Sequence, residues 1–308
     1  MTTKFVSTLL MAASVAAFGV NAHADTGKLL LTSGVSSVDG AAGGGLTPWA
    51  VIGSNATDGE VGASVFGSRL GTKDFGLNIW GATVGFDDRY EWSIAQQDLD
   101  TRATGGALGS PGLHLKQTIV GAKVRLAGDA VLDSDTLMPQ IALGLQYKTL
   151  GTTGLDATLT ALGAKRSGVD VYVSATKLFL ASGLLVNATL RATKANQNGL
   201  LGHGATLGGN ESRYTLQPEL SIAYLISKNI AIGAEYRMMR NRLETAGKVA
   251  GLPGNGLKSE DWKDVFIAWA PNKNVSLTLA YVDLGVIVPA TTASRKQQGV
   301  YVSAQLAF

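Results

Sequence analysis

No cysteine occurs in the 308 residues, so neither a disulfide scaffold nor a thiolate metal centre holds this chain together. Histidine is nearly as scarce, at three, which argues against an all-imidazole metal site. Charged residues make up only 16%, well under the usual ~25%, and that excludes a highly charged disordered chain. The formal net charge is +3, with no basic run or stripe, so nucleic acid has no electrostatic footprint here. What is plentiful is glycine, 39 residues against 7 prolines. Those glycines keep no three-residue period, which excludes collagen.

Residues 1–24 read as a secretory signal: Lys4 supplies the positive start, 5–20 is apolar, and Ala22-His23-Ala24 is a small-residue cleavage site. The protein is therefore expected to leave the cytoplasm, with 25–308 as one mature domain. No later segment stays apolar for 18 residues, so no transmembrane helix is expected.

What recurs instead is alternation. Val300, Val302, Ala304, Leu306 and Phe308 share one face, with Tyr301, Ser303, Gln305 and Ala307 opposite. Segments 274–282 and 140–148 repeat the pattern. A period of two over nine residues is a strand with one apolar face. Fourteen such strands are expected, at 28–36, 47–53, 60–69, 75–86, 89–97, 114–126, 137–148, 168–180, 184–195, 212–226, 229–239, 261–270, 274–283 and 297–308. The first four are the least regular, which leaves twelve as the alternative count.

The connections alternate in length. One set averages about 4 residues and the other about 14, and short turns at one end with long loops at the other is the outer-membrane arrangement. The short set carries turn residues, such as Asp87-Asp88 and Pro271-Asn272-Lys273. The fold expected is an all-β, transmembrane, antiparallel up-and-down barrel with periplasmic termini. A soluble sandwich would use shorter strands and would not segregate its loops.

The terminal stretch 299–308 (GVYVSAQLAF) resembles the assembly signal of bacterial outer-membrane barrels, with Val300, Val302, Leu306 and Phe308 as its apolar positions. The mature chain also resembles a proteobacterial family known only as a domain of unknown function. The segments that carry this are 34–53 (GVSSVDGAAGGGLTPWAVIG), 117–148 and the terminal strand. The resemblance implies a barrel in the outer membrane, with lipid and the barrel-assembly machinery as partners. It supplies no substrate and no catalytic residue.

If the apolar faces meet lipid, the opposite faces line a lumen. Arg89, Glu91, Lys123, Arg125, Arg191, Glu219, Glu235 and Arg237 fall there. Five cations against three carboxylates suggest a water-filled lumen that favours anions; a plug of internal ion pairs is the other reading. Trp80, Phe86, Tyr90, Trp92, Tyr147, Tyr224, Tyr236, Trp269, Tyr281 and Phe308 are expected to form interfacial girdles. Only Tyr172 and Tyr301 fall on the lumen face.

The glycine cluster at 39–45 lacks a Gly-Lys-Ser/Thr ending and reads as a flexible or inward-folded loop rather than a phosphate loop. Asp129, Asp133 and Asp135 lack calcium-loop spacing. His114 and His203 have no recognisable nucleophile spacing around them. No cofactor, metal or catalytic residue is therefore expected. Passive movement of small solutes is the favoured function, ahead of a closed structural or adhesive barrel, with a barrel enzyme third.

Overall fold

The structure, a computed structural model, describes residues 28–131, 136–151, 154–209, 211–253 and 256–308. The signal segment lies outside the described residues, as do Asp133 and Asp135. The chain begins with a two-residue hairpin, β1 (Val35–Ser36) and β2 (Ala42–Gly43). Then follow β3 (Val61–Thr72), β4 (Gly76–Phe86), β5 (Tyr90–Asp100), α1 (Arg102–Ala107), β6 (His114–Ala127) and β7 (Gln140–Leu150). Next come α2 (Asp156–Leu162), β8 (Ser167–Phe179), β9 (Leu184–Thr193), β10 (Thr215–Ser227) and β11 (Ile230–Arg237). The chain ends with α3 (Leu243–Val249), β12 (Trp262–Asn272), β13 (Val275–Val286), α4 (Pro289–Thr292) and β14 (Lys296–Ala307).

Strands β3 to β14 form one closed antiparallel barrel in which every strand pairs with its sequence neighbour. The seam joins β14 to β3 from Gly299↔Thr72 to Ala307↔Ser64. Ala63 and Phe308 complete it by exchanging backbone hydrogen bonds of 3.1 and 2.8 Å. No open edge is left, which a sheet at membrane depth requires.

Strand β10 shows why the wall faces lipid. Leu216, Leu220, Ile222 and Tyr224 are exposed, while Gln217, Glu219, Ser221 and Ala223 between them are buried. Each of the twelve wall strands carries at least one large exposed apolar residue. This inside-out polarity is stable only when hydrocarbon replaces water outside. Of the expected girdle, Trp80, Tyr90, Trp92, Tyr147, Tyr224, Trp269 and Tyr281 are exposed, and Phe86, Tyr236 and Phe308 are half-buried. Tyr172 and Tyr301 point inward and are buried.

The strand count is twelve. The expected strands at 28–36 and 47–53 are not in the wall. They belong to a segment that enters the barrel and returns to the same rim, and residues 35–55 are buried throughout. The physical reason is that this stretch has no solvent-facing or lipid-facing side, so its apolar residues do not report a strand period. Connections 87–89, 128–139, 180–183, 228–229 and 273–274 mark one rim. Connections 73–75, 101–113, 151–166, 194–214, 238–261 and 287–295 mark the other.

Glycine in the wall makes room for aromatic rings. Gly81↔Phe66, Gly144↔Tyr172 and Gly233↔Phe266 are direct cross-strand partners. A Cβ on Gly144 would sit 2.1 Å from the Tyr172 ring. Each ring covers a glycine backbone, a device that packs a strongly curved sheet. Gly144→Val should therefore overpack the wall and lower stability by about 1–3 kcal/mol. Urea titration of heat-modifiable gel mobility would measure this, and adding Tyr172→Ala should return part of the loss.

Candidate functional site

A chain segment inside a lipid-embedded wall must find partners for its amides and carbonyls without relying on bulk water. The wall supplies them to residues 28–59. Glu235 accepts from the amides of Leu46 (2.7 Å) and Thr47 (3.2 Å), and from the Thr47 and Ser221 hydroxyls. Glu91 accepts from the amides of Ala42 (3.2 Å) and Gly53 (2.8 Å). Lys123 pairs with Glu91 at 2.9 Å and donates to the carbonyls of Ala42 and Trp49. Gln97 donates to Val38 O, Gln140 to Ala50 O and Thr189 to Pro48 O, at 2.7–2.8 Å. Gly44 has to be glycine, because a Cβ there would lie 2.4 Å from the Glu235 carboxylate.

The deepest part of this plug is anchored by charge. Asp39 lies 2.9 Å from Arg237, 3.3 Å from Lys148 and 3.5 Å from Arg191. Those cations have wall carboxylates as well. Arg191 and Arg237 share Glu219, and Lys148 lies 3.0 Å from Asp170. From the other rim, connection 194–214 folds inward and delivers Asn198. Its amide donates to Asp39 at 2.6 Å, and its oxygen accepts from Arg237 (2.7 Å) and Lys148. Plug and loop thus meet in one layer of ion pairs. Both ends of the plug are pinned at the short-turn rim, Lys28 to Asp88 at 2.5 Å and Asn55 to the Lys273 carbonyl at 2.7 Å.

Of the eight residues expected to face a lumen, Glu91, Lys123, Arg191, Glu219, Glu235 and Arg237 are buried inside the barrel. Arg125 sits half-buried at the rim, 2.8 Å from Asp88 and 3.5 Å from Asp129. Arg89 is not inside at all. Strand β5 starts one residue later, so Arg89 belongs to the turn after Asp87 and Asp88 and lies exposed beside the Tyr90 ring. Sequence reading missed Asp39, Lys148, Asp170 and Asn198. Lys148 shares a face with Gln146, and Asp170 with Tyr172, so strand parity carried both. Nothing periodic marks Asp39 or Asn198.

The expected surplus of positive charge is absent. Among the described residues, Lys123, Lys148, Lys177, Arg191, Arg237 and Arg242 are buried, and so are Asp39, Asp74, Glu91, Asp170, Glu219 and Glu235. The buried cations and carboxylates are equal in number, and the plug fills the space that an anion-selective water column would need.

Beyond the ion-pair layer, at the long-loop rim, lies a cavity of about 540 Å³. Its wall comes from the upper strand ends and the four short helices, and it is dominated by leucines such as Leu77, Leu99, Leu115, Leu159, Leu201 and Leu243. Among the described residues no Lys, Arg, His, Asp or Glu lines it. Exposed Leu108 and Leu252 mark its mouth. Sequence reading identified these connections only as the long set of loops and did not find it.

His114 bonds Asp98 at 2.6 Å on the outer side of the rim. His203 is buried under Gly168, and burial pushes its imidazole down to about 4. Among the described residues no cluster of three or more metal-ligating side chains occurs.

A family model described as protein of unknown function (DUF3034) matches residues 32–305. No curated protein matches the sequence. Among solved structures, the KdgM porin is similar over 80% of this chain and 99% of its own, with 11% identity and a TM-score of 0.49. The COG4313 outer membrane channel from Pseudomonas putida F1 covers 83% and 97%, with 12% identity and a TM-score of 0.46. Outer membrane phospholipase A from Escherichia coli covers 80% and 89%, with 10% identity and a TM-score of 0.41.

Asp39→Asn leaves the surrounding cations short of one buried counter-charge, which should cost about 3 kcal/mol. Asp58→Asn, whose side chain is exposed at the rim, should change stability by less than about 0.5 kcal/mol. Paired urea titrations of the two variants in lipid measure the difference.

Proposed function

We propose that this chain, which belongs to the DUF3034 family of proteins of unknown function, is an outer-membrane passage for small molecules that its own N-terminal segment holds shut. In this reading the long loops face outward and both ends of the mature chain lie in the periplasm. Val300, Val302, Leu306 and Phe308 form the terminal signal read by the assembly machinery. Glu91, Lys123, Arg191, Glu219, Glu235 and Arg237 line the passage when the plug is displaced.

The observation that carries this reading is how the plug is attached. A twelve-stranded wall encloses more space than the eight-stranded barrels that side chains alone fill. A filler selected only for stability is better made apolar, because replacing buried ion pairs by packed hydrophobic groups is often neutral or stabilising. Here the filler does pack Val38, Leu46, Trp49 and Val51 into the wall's apolar core, but it has no covalent staple, and its backbone and Asp39 are tied to the wall by hydrogen bonds and ion pairs that water can replace. The second reading is a closed structural barrel, which the six-to-six balance of buried charge favours.

The Thr47 hydroxyl on the plug lies 2.5 Å from the Ser221 hydroxyl on β10, so Thr47→Cys with Ser221→Cys should cross-link plug to wall. No native cysteine competes. In planar bilayers the oxidised double variant should be silent, and reductant should restore intermittent current. Equal current in both states would show that the plug is not the gate. Absence of current from the reduced form and from Asp39→Asn, both folded, would assign the protein to the structural class.

A further inference from the structure

The large cavity at the long-loop rim has a chemistry that selects its occupant. An engineered apolar cavity of about 150 Å³ stays dry and binds benzene. The one here, at about 540 Å³, is several times larger and lies in the range of sites for drug-sized ligands. Its hydroxyls are mostly engaged. Thr104 and Thr291 bond each other at 2.9 Å, Thr101 donates to Leu113 O at 2.7 Å, and Thr72 donates to Gln297 at 3.0 Å. Thr158 is exposed to solvent.

One polar group in the lining stands apart. Trp262 Nε1 donates to Gln197 Oε1 at 3.2 Å. An indole N–H is a donor only, so the amide oxygen must face the tryptophan, and the amide nitrogen is turned away from it. Gln197 is 6% exposed, and its Nε2 has no hydrogen-bond partner among the described residues. A buried donor left without an acceptor destabilises the state that contains it. The backbone there is strained too: Gln197 and Asn198 both take positive φ, 44° and 60°, and neither is glycine. Such strain persists where surrounding contacts over-determine it, and it concentrates at ligand sites.

We infer that the cavity binds a neutral, predominantly apolar small molecule that carries one acceptor oxygen, of the ketone, ester or ether type, with that oxygen on Gln197 Nε2. This deepens the channel reading by naming the solute class, but the binding itself does not depend on conduction. A fatty-acid carboxylate does not fit. Among the described residues the lining contains no cation, and a buried carboxylate without a partner is strongly disfavoured. The guanidinium of Arg237 lies 6.0 Å from the Trp262 ring centroid, and it is already paired with Asp39 and Glu219.

Three probes of equal chain length separate these terms: 2-undecanone, undecane and undecanoate. Each is equilibrated at pH 8 with the barrel in nanodiscs, and retained ligand is measured against empty nanodiscs. The ketone should show saturable retention about fivefold tighter than the alkane, the size of one net hydrogen bond. Undecanoate should show none. Gln197→Met should remove the ketone's advantage over the alkane, and Leu159→Arg should abolish retention of both neutral probes. Heat-modifiable mobility confirms that each variant is folded. Undecanoate retained as tightly as the ketone would overturn the inference. So would equal retention of ketone and alkane by the native chain, an unchanged preference in Gln197→Met, or no retention above empty nanodiscs. A barrel that binds the ketone yet never conducts refutes the channel alone; one that conducts on plug release but retains no probe refutes only the site.

Discussion

Everything inside this barrel depends on one constraint: at membrane depth a backbone polar group has no bulk water to fall back on. The wall meets it by closing on itself through the β3–β14 seam. The inserted segment cannot meet it alone, because a two-residue hairpin pairs only a fraction of its amides and carbonyls. Inward side chains therefore act as backbone partners. Glu91 and Glu235 each accept from two plug amides, and Gln97, Gln140 and Thr189 donate to plug carbonyls. The polar faces of the strands are thus shaped to the main chain they enclose.

The same constraint explains the charges. A cation at membrane depth is stable only beside a carboxylate, and the barrel assembles its pairs from three separate pieces of chain. Wall residues Lys148, Arg191 and Arg237 meet the plug's Asp39 from the side, and Asn198 arrives from the opposite rim. In this layer the wall's three cations exceed its Asp170 and Glu219 by one, the plug's Asp39 supplies the third carboxylate, and the uncharged Asn198 amide bridges them, so plug, wall and inward loop specify one another's positions. Charge here works as an address more than as a source of stability, which matches what buried ion pairs generally contribute.

The wall was legible in the sequence because lipid outside and polar surface inside impose a strict period of two. Twelve of the fourteen expected strands appear within a few residues of their predicted bounds. The period fails where its cause fails. Residues 35–55 are enclosed on all sides, so nothing alternates, and 34–53 reads as apolar and glycine-rich without revealing that it lies inside. Arg89 was misplaced because parity cannot be counted from a strand end that is itself uncertain by one residue. Lys148 and Asp170 were on the correct face, but pairing is a three-dimensional property that spacing does not record. The cavity left a trace that could have been read: Leu155, Leu159, Leu162, Leu200, Leu201, Leu243 and Leu257 all lie in connections that water alone would make polar.

The position of the seam also sets an order in time. The plug ends at residue 59, directly before β3, and β3 is paired on its second edge only when β14, the final strand, arrives. Ser64 meets Ala307, and Ala63 meets the last residue, Phe308. The closing contact therefore joins nearly the whole length of the barrel sequence, the kind of long-range pairing that makes folding slow. Without that pairing the sheet keeps two open edges and does not enclose Asp39 and its three cations, which are buried in the closed barrel. Closure of the sheet and enclosure of that cluster are therefore tied to the same contact, the pairing of Ala63 with Phe308.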